Sequence, residues 1–206
     1  MQQENTENTI ILATNNLGKV QELQDALSQH TQCTYIAQSE FAIPEIEETG
    51  LTFVENALIK ARNACQHSGL PSLADDSGLI VPALGDQPGI YSARYAHNAK
   101  SFNDNINKLL NELDHTPEED RFAYFVCNIV YLRSHDDPIP LIFQGMWEGR
   151  ITTEPRGTNG FGYDPVFFVP EHNCTAAELD LEIKNEISHR AQAINNFKEF
   201  LQEGFN

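Results

Sequence analysis

Basic side chains are scarce in this chain of 206 residues, in which 13 lysines and arginines face 30 aspartates and glutamates, a formal charge of −17. Proteins that bind a nucleic-acid polymer draw much of their affinity from basic side chains that neutralise phosphates. We therefore expect no nucleic-acid polymer as a partner. The charge does not exclude a small anion, because helix N-termini, a few cations and a metal ion can hold one locally.

Long apolar runs are also missing. No run of about 18 apolar residues is present, and a membrane-spanning helix needs one of that length. The opening residues, "MQQENTENT", have neither the basic region nor the apolar region of a secretory signal. We therefore expect a cytoplasmic protein with no membrane partner, and we expect residues 1–8 to form a disordered or frayed tail.

Cysteine is sparse and scattered. The four cysteines form no C-x-x-C pair, which argues against structural zinc. Buried free thiols in a reducing cytoplasm are the expected state of Cys33, Cys65, Cys127 and Cys174.

The residues that are present suit a mixed α/β fold. An apolar fraction of 40% and twelve phenylalanines supply a core. The run "TIILA" predicts a strand over 9–13, and the aromatic and β-branched stretch 121–133 predicts a long central strand that pairs with 139–147. Because helices alternate with strands early and antiparallel strands come late, we expect one compact α/β unit over 9–206.

Three helices carry specific signals. Thr52-x-x-Glu55 has the spacing of a capping box and predicts that a helix begins at this point, with a stripe of alanines on one side. Apolar residues at helical spacing predict a second helix over 103–113 and a closing helix from Glu186 onward.

The segment "ATNNLGK", 13–19, lies between the first strand and a helix. Backbone N–H groups at a helix start, together with asparagines, a glycine and a lysine, suit a phosphate group. The spacing differs from that of a Walker A loop. An ordinary strand-to-helix turn with Asn16 as N-cap explains the same residues.

Two acidic segments follow. In "EIEETGLTF", glutamates including Glu47 and Glu48 precede the capped helix, where they either complement its dipole or supply hard oxygen ligands for Mg²⁺. Asp75 and Asp76 come at the predicted end of a strand, before Ser77. They form either a metal site or a surface Asp-Asp-Ser-Gly turn. The Asp-x-Asp pattern of haloacid-dehalogenase phosphatases is absent.

Two later segments offer groups for a planar ligand. The glycine-rich loop 154–170 places Phe161 between two glycines, where its ring either stacks on a base or folds into the core of a hairpin. In "KNEISHR", 184–190, several hydrogen-bond donors lie close together. They suit carbonyl or phosphate oxygens, although a solvated helix face has the same composition.

Taken in order, these motifs resemble the inosine triphosphate pyrophosphatase family over residues 9–202. The resemblance rests on T-N-N-x-G-K, E-E-T-G-x-T-F-x-E-N-A-x-x-K-A, A-D-D-S-G-L, P-G-I-Y-S-A-R-Y, G-F-G-Y-D-P and K-x-x-x-S-H-R, which follow one another along the chain. Within the family the sequence is most similar to the bacterial enzymes that act on dITP and XTP. Asn15 and Asn159 stand where many members have glycine.

The resemblance implies a two-lobed α/β protein with a long central mixed sheet, flanking helices, an active-site cleft between the lobes and a homodimeric assembly. It implies hydrolysis of dITP, ITP and XTP between the α- and β-phosphates, which yields a nucleoside monophosphate and pyrophosphate and cleanses the nucleotide pool. The expected cofactor is Mg²⁺, with Mn²⁺ as a substitute.

The resemblance also assigns residues, each on a matching motif. Asp76 is implied as the proton acceptor. The implied metal ligands are Glu47, Glu48, Asp75 and Asp76. The implied substrate-binding residues are Thr14, Asn15, Asn16, Leu17, Gly18, Lys19, Lys60, Ser77, Phe161, Gly162, Tyr163, Asp164, Lys184, His189 and Arg190.

The chemistry of the bases agrees with this assignment. Hypoxanthine and xanthine carry a carbonyl at C6 where adenine carries an amino group, so the donors Lys184, His189 and Arg190 favour the former. Two other functions stay open at this point. One is a nucleotide sensor without turnover, and the other is a phosphatase that releases orthophosphate from a related substrate.

Overall fold

The computed structural model describes residues 8–28, 33–97 and 100–203. In those residues the strands are β1 (Thr9–Leu12), β2 (Thr34–Ala37), β3 (Ser72–Val81), β4 (Gln87–Pro88), β5 (Phe122–Leu132), β6 (Leu141–Ile151), β7 (Phe167–Val169) and β8 (Cys174–Thr175). The helices are α1 (Leu17–Ser28), α2 (Phe53–Ser68), α3 (Phe102–Glu112), α4 (Leu181–Ile187) and α5 (His189–Glu203). Residues 1–7 of the predicted tail lie outside the described residues.

All the strands belong to one mixed sheet with the order β2-β1-β3-β5-β6-β7-β8, and β4 pairs with β3. β1 runs parallel to β2, with Ile11 opposite Ile36, and parallel to β3. β7 is antiparallel to both β6 and β8. The predicted α/β class with a mixed sheet and flanking helices is confirmed, and β5 and β6 are neighbours as the sequence predicted.

The predicted start of α2 is confirmed in detail. Thr52 is the N-cap, and its hydroxyl accepts a hydrogen bond from the N–H of Glu55, whose carboxylate accepts one from the N–H of Thr52 in return. This reciprocal pair satisfies two of the donors that a helix start leaves without partners.

The chain forms two compact units. The first unit consists of residues 1–76, 128–144 and 192–206, as far as they are described. Its core is built from the apolar side of α2 and from strand residues: Ile11, Ala13, Ile43, Ala57, Ala61, Ala64, Cys65, Ala74, Val130 and Leu132. The alanines expected along one side of α2 are thus buried, because small side chains let the helix lie close to the sheet.

The second unit consists of residues 77–127 and 145–191. Its core is richer in aromatic side chains and combines residues of α3 with residues of the strands, including Leu79, Leu109, Phe125, Trp147 and Phe167. The predicted single two-lobed domain over 9–206 stays a prediction.

All four cysteines are free as predicted, but the predicted burial holds only for Cys65 and Cys127, whereas Cys33 and Cys174 are half-buried. In the described part of the chain, no helix has the length and apolar character needed to cross a bilayer.

Two boundary predictions are wrong. The strand expected to stop at Asp75 and Asp76 continues through them to Val81, so these residues lie in mid-strand and form no surface turn. The closing helix expected from Glu186 begins instead at His189. Ser188 interrupts it with an extended backbone, and its hydroxyl accepts a hydrogen bond from the N–H of Ala191.

Arg121 is a buried charged residue that binds backbone carbonyl groups of the second unit. It is 5% exposed, and its guanidinium donates hydrogen bonds to the carbonyl oxygens of Leu113 at 2.7 Å, Thr116 at 2.9 Å and Thr152 at 3.1 Å. Leu113 is the C-cap of α3, so the positive charge also lies at the negative end of the helix dipole.

We predict that Arg121→Met lowers the free energy of unfolding by about 3 kcal/mol, because several buried carbonyl oxygens lose their donor. Urea unfolding followed by circular dichroism measures this loss. Arg150→Met, at an exposed position of β6, is the control and should stay within about 0.5 kcal/mol of the parent. Equal effects of the two substitutions would contradict the structural role of Arg121.

Candidate active site

The first group of candidate side chains lies in the first unit. We call Lys19, Glu48, Lys60, Asp75 and Asp76 the acidic cluster. Asp75 and Asp76 are 1% and 7% exposed. They are consecutive residues of β3, and each meets a lysine from a different helix. Lys19 Nζ lies 2.9 Å from Asp75 Oδ1, and Lys60 Nζ lies 3.1 Å from Asp76 Oδ1. These ion pairs offset the cost of burying two carboxylates in mid-strand.

Lys60 joins two segments of the cluster. Its Nζ also lies 2.8 Å from Glu48 Oε1, so a single ammonium group holds together a carboxylate of the loop before α2 and a carboxylate of β3. The side chains of Lys60 and Glu48 are 15% and 26% exposed. Glu47, one residue before Glu48, is exposed and is not among the side chains that these ion pairs bring together.

The loop before α2 is fastened along one face of that helix. Asn56 Oδ1 accepts a hydrogen bond from the N–H of Gly50 at 2.8 Å, and Asn63 Nδ2 donates to the carbonyl oxygen of Pro44 at 2.8 Å. With Lys60 between them, these residues follow the spacing i, i+4, i+7 of one helical face. Neither asparagine was predicted from the sequence, although their polar spacing beside the alanine side was a signal for them.

Burial and neighbouring charges shift the pKa values of Asp76 and Lys60. Burial raises the pKa of Asp76 above its ordinary value, Glu48 and Asp75 add to that rise, and Lys60 and Lys19 oppose it. Burial alone would lower the pKa of Lys60, but the combined attraction of Asp76, Asp75 and Glu48 outweighs it, so this pKa lies above its ordinary value. Lys60 therefore stays charged at neutral pH.

The loop between β1 and α1 is exposed over residues 15–18, whereas Thr14 is buried. Asn16 Oδ1 accepts a hydrogen bond from the N–H of Lys19 at 3.2 Å, as an N-cap residue does, and Thr14 Oγ1 accepts one from the N–H of Asn16. Asn15 is exposed and is held by the side chain of Gln38 at 2.8 Å. Leu17 is 81% exposed and Gly18 is also exposed. The segment thus serves as the helix cap that the sequence allowed, and it keeps a helix N-terminus open to an anion.

The acidic cluster has the donor chemistry of a divalent-metal site. Carboxylate oxygens are the ligands that Mg²⁺ prefers, and Asp76 Oδ2 is buried without a hydrogen-bond partner among the described residues. Over 8–28, 33–97 and 100–203, no group of three or more His, Cys, Asp or Glu side chains is arranged to hold a metal ion. Lys19 and Lys60 supply the positive charge between these acids. The carboxylates of the acidic cluster thus fit a hard cation in the kind of ligand that they offer.

The second group lies in the second unit. We call Ser77, Phe161, Asp164, Lys184 and Arg190 the donor cluster. Asp164 and Lys184 are 3% and 6% exposed and form an ion pair of 2.5 Å between Oδ2 and Nζ. Asp164 Oδ2 also accepts a hydrogen bond from the N–H of Phe161 at 2.8 Å. One carboxylate oxygen therefore anchors both the loop and the lysine.

The Phe161 ring is the apolar surface of this cluster. It is 40% exposed, with Lys184 Nζ 5.0 Å and Arg190 Cζ 5.7 Å from the ring centroid. Arg190 is itself buried and donates to Ser77 Oγ at 2.9 Å. An exposed aromatic face flanked by two cations suits a planar ligand with electron-rich edges.

Aromatic neighbours hold His189. Its imidazole lies nearly parallel to the ring of Phe125, with centroids 4.8 Å apart and an interplanar angle of 12°, and 6.4 Å from Trp147 at 16°. Phe125 and Trp147 were not predicted as site residues, because they are far from His189 in the sequence.

Tyr163 is buried rather than presented to a ligand. It is 2% exposed, its hydroxyl donates to the carbonyl oxygen of Ser92 at 2.9 Å, and its ring meets that of Phe102 edge-on. Gly162 precedes it and is half-buried. Tyr163 therefore fixes the loop to the rest of the second unit, through the segment that the sequence shows as P-G-I-Y-S-A-R-Y.

The chain is similar to known proteins over nearly all of its length. The sequence profile of the Ham1 family matches residues 10–200. The chain is 53% identical to the dITP/XTP pyrophosphatase of Idiomarina loihiensis, over 95% of this chain and 98% of the relative. It is 52% identical to the dITP/XTP pyrophosphatase of Vibrio cholerae, over 94% and 96%. A solved structure of a HAM1 protein from Coxiella burnetii superposes with a TM-score of 0.90 at 50% identity, over 95% of this chain and 99% of that one.

This chain belongs to the Ham1 family. The matches confirm the family resemblance seen in the sequence, and they extend over nearly the whole described fold.

Replacing Asn56 tests how the acidic loop is held. We predict that Asn56→Ala lowers the free energy of unfolding by about 1–3 kcal/mol, because the N–H of Gly50 loses its acceptor in a partly buried place. Chemical denaturation measures the change. Gln66→Ala, at an exposed position of the same helix, should change stability by no more than about 0.5 kcal/mol. An Asn56 variant as stable as the Gln66 variant would show that the loop does not depend on this contact.

Proposed function

We propose that the protein hydrolyses noncanonical purine nucleoside triphosphates, namely dITP, ITP and XTP, to the nucleoside monophosphate and pyrophosphate. This reaction removes deaminated purines from the nucleotide pool before they enter DNA or RNA. The observation that carries the proposal is the pair of buried aspartates in mid-strand, each held by a lysine. The 53% and 52% identity to two relatives named dITP/XTP pyrophosphatase supports it.

A triphosphate is a strong anion, and a chain with a formal charge of −17 must neutralise it locally. Lys19 and Lys60 are the cations of the acidic cluster, and the N-terminus of α1 adds backbone N–H groups next to Lys19. We assign the phosphates to these groups and to the loop from Thr14 to Gly18.

We propose Mg²⁺ as the cofactor, with Mn²⁺ as a substitute. Glu48, Asp75 and Asp76 would hold the ion, and Glu47 would join them if the exposed loop turns toward it. When bound, such an ion supplies positive charge that neutralises phosphate oxygens and eases the deprotonation of water.

Asp76 is the proposed proton acceptor. Its Oδ1 is engaged by Lys60, whereas its Oδ2 is buried and accepts no hydrogen bond from the described residues. An oxygen with this unused capacity can accept a proton from an attacking water, and Lys60 holds the carboxylate in place while it does so. Asp75, which faces Lys19, has the supporting role.

The donor cluster is assigned to the base. The Phe161 ring stacks on the purine, while Lys184, His189 and Arg190 offer donors to the carbonyl oxygen at C6. Adenine presents an amino group there, so donor would face donor. A site that reads such a group by hydrogen bonds rejects the wrong base by roughly 10⁴-fold in favourable cases. Ser77 and Asp164 position Arg190 and Lys184, and Gly162 and Tyr163 shape the loop.

We further propose a cytoplasmic homodimer that binds neither a nucleic-acid polymer nor a membrane. The excess of acidic residues supports the first of these exclusions, because phosphate backbones would be repelled.

The first test is the identity of the product. We predict that incubation with dITP and Mg²⁺ releases one pyrophosphate per dIMP, as measured by phosphorus NMR or a coupled pyrophosphate assay. dATP under the same conditions is the control and should react far more slowly. Orthophosphate as the first product would identify a phosphatase, and tight binding without any product would identify a nucleotide sensor.

The second test concerns Asp76. We predict that Asp76→Asn lowers kcat for dITP by at least about 10²-fold, because the proton acceptor is lost, and that it removes the rise in melting temperature that Mg²⁺ gives the parent. Circular dichroism checks the fold. Asp86→Asn, at an exposed position outside the site, is the control and should keep both properties. Parent-like turnover of the Asp76 variant would exclude this residue from the mechanism.

A further inference from the structure

We infer that Gly160 is a positioning residue for base recognition, because its missing side chain leaves the space in which Asp164 and Lys184 form their buried ion pair. The inference rests on the proposed function and deepens it, since it identifies what determines the geometry of the base site.

The geometry at Gly160 is unusually restrictive. A Cβ atom at this position would lie 2.1 Å from Asp164 Oδ2, 2.9 Å from Lys184 Nζ and 3.1 Å from Asp164 Cγ. A carbon atom cannot approach a carboxylate oxygen this closely, so the carboxylate would have to move. Any residue except glycine at position 160 therefore displaces the ion pair.

Displacing Asp164 would disturb more than one contact. The same oxygen, Oδ2, binds Lys184 Nζ at 2.5 Å and accepts the hydrogen bond from the N–H of Phe161 at 2.8 Å. If this oxygen moves, Lys184 loses its ion-pair partner and the N–H of Phe161 loses its hydrogen-bond acceptor at the same time. A single atom, Asp164 Oδ2, thus fixes the positions of both Phe161 and Lys184. Gly160 leaves room for that atom.

Two separate constraints act on Gly160. Besides the collision, its backbone has φ of +73°, a left-handed conformation that disfavours residues with a side chain. Gly85 in the same unit isolates this second constraint, because its φ is +62° and a Cβ there would meet no atom within 4 Å. Gly85→Ala therefore carries the conformational strain without the collision.

The experiment compares Gly160→Ala with Gly85→Ala. We expect Gly160→Ala to reduce the ratio of kcat/KM for dITP to kcat/KM for dATP by about tenfold or more, because hydrogen-bond discrimination depends on the positions of the donors. Affinity for dIMP, measured by calorimetry without a divalent metal, should fall in parallel. Gly85→Ala should keep the parental ratio and affinity, since a general loss of stability affects both substrates alike.

A ratio within about twofold of the parent in folded Gly160→Ala, or an equal loss in Gly85→Ala, would overturn the inference.

If Gly160→Ala does not fold, the collision is tested in a second background. In Asp164→Ala/Lys184→Met both partners of the ion pair are gone, so no buried charge is left alone. In that background, Gly160→Ala should fold and lower the melting temperature no more than Gly85→Ala does. Failure to fold there as well would show that the collision is not with the ion pair and would overturn the inference.

The two hypotheses fail in different ways. If the parent protein releases no pyrophosphate from dITP, the proposed function is wrong whatever the glycine variants do. If it does so and the Gly160 variant still discriminates dITP from dATP as the parent does, the function stands and the role of Gly160 is wrong.

Discussion

The ion pairs of Asp75 and Asp76 are the interaction on which the site depends. A strand with two adjacent buried carboxylates could not persist in the core of the first unit without counter-charges, and each carboxylate has its own lysine. Since Lys19 belongs to α1 and Lys60 to α2, the strand and both helices are held by the same charges that give the cluster its chemistry. Here the stability of the fold and the chemistry of the site use the same atoms.

The face of α2 that carries Lys60 shows how one helix serves two purposes. Its alanine side packs into the core, while Asn56, Lys60 and Asn63 hold the acidic loop before the helix. Because a helix is rigid over these few turns, the spacing of the three side chains determines where Glu48 lies. The loop that carries this proposed metal ligand is thereby positioned by a regular element.

Much of the fold could be predicted from the sequence, because the signals were local. The capping box at Thr52, the alanine side of α2 and the aromatic strand near residue 125 each depend on neighbours in the chain. The mid-strand position of Asp75 and Asp76 could not be predicted, because it depends on lysines from other elements that offset the burial of charge. The break at Ser188 was missed because the apolar periodicity continues through it. The local signal, a hydroxyl that caps a new helix, was weaker than that pattern.

The family motifs identified the donor residues, but not how they are held. The stack of His189 on Phe125, and the attachment of Tyr163 to Ser92, join residues far apart in sequence. Periodicity carries no information about such pairs, since it reports which face of an element is apolar and not which partner that face meets.

The exposed ring of Phe161 has a consequence for the thermodynamics of recognition. The residue is fixed at its backbone by Asp164, yet 40% of its surface stays in contact with water. A planar ligand that covers this ring removes apolar surface from water without first ordering the loop, so little conformational entropy is lost on binding. The free protein therefore keeps part of its hydrophobic surface uncovered in a conformation that is already suited to stacking.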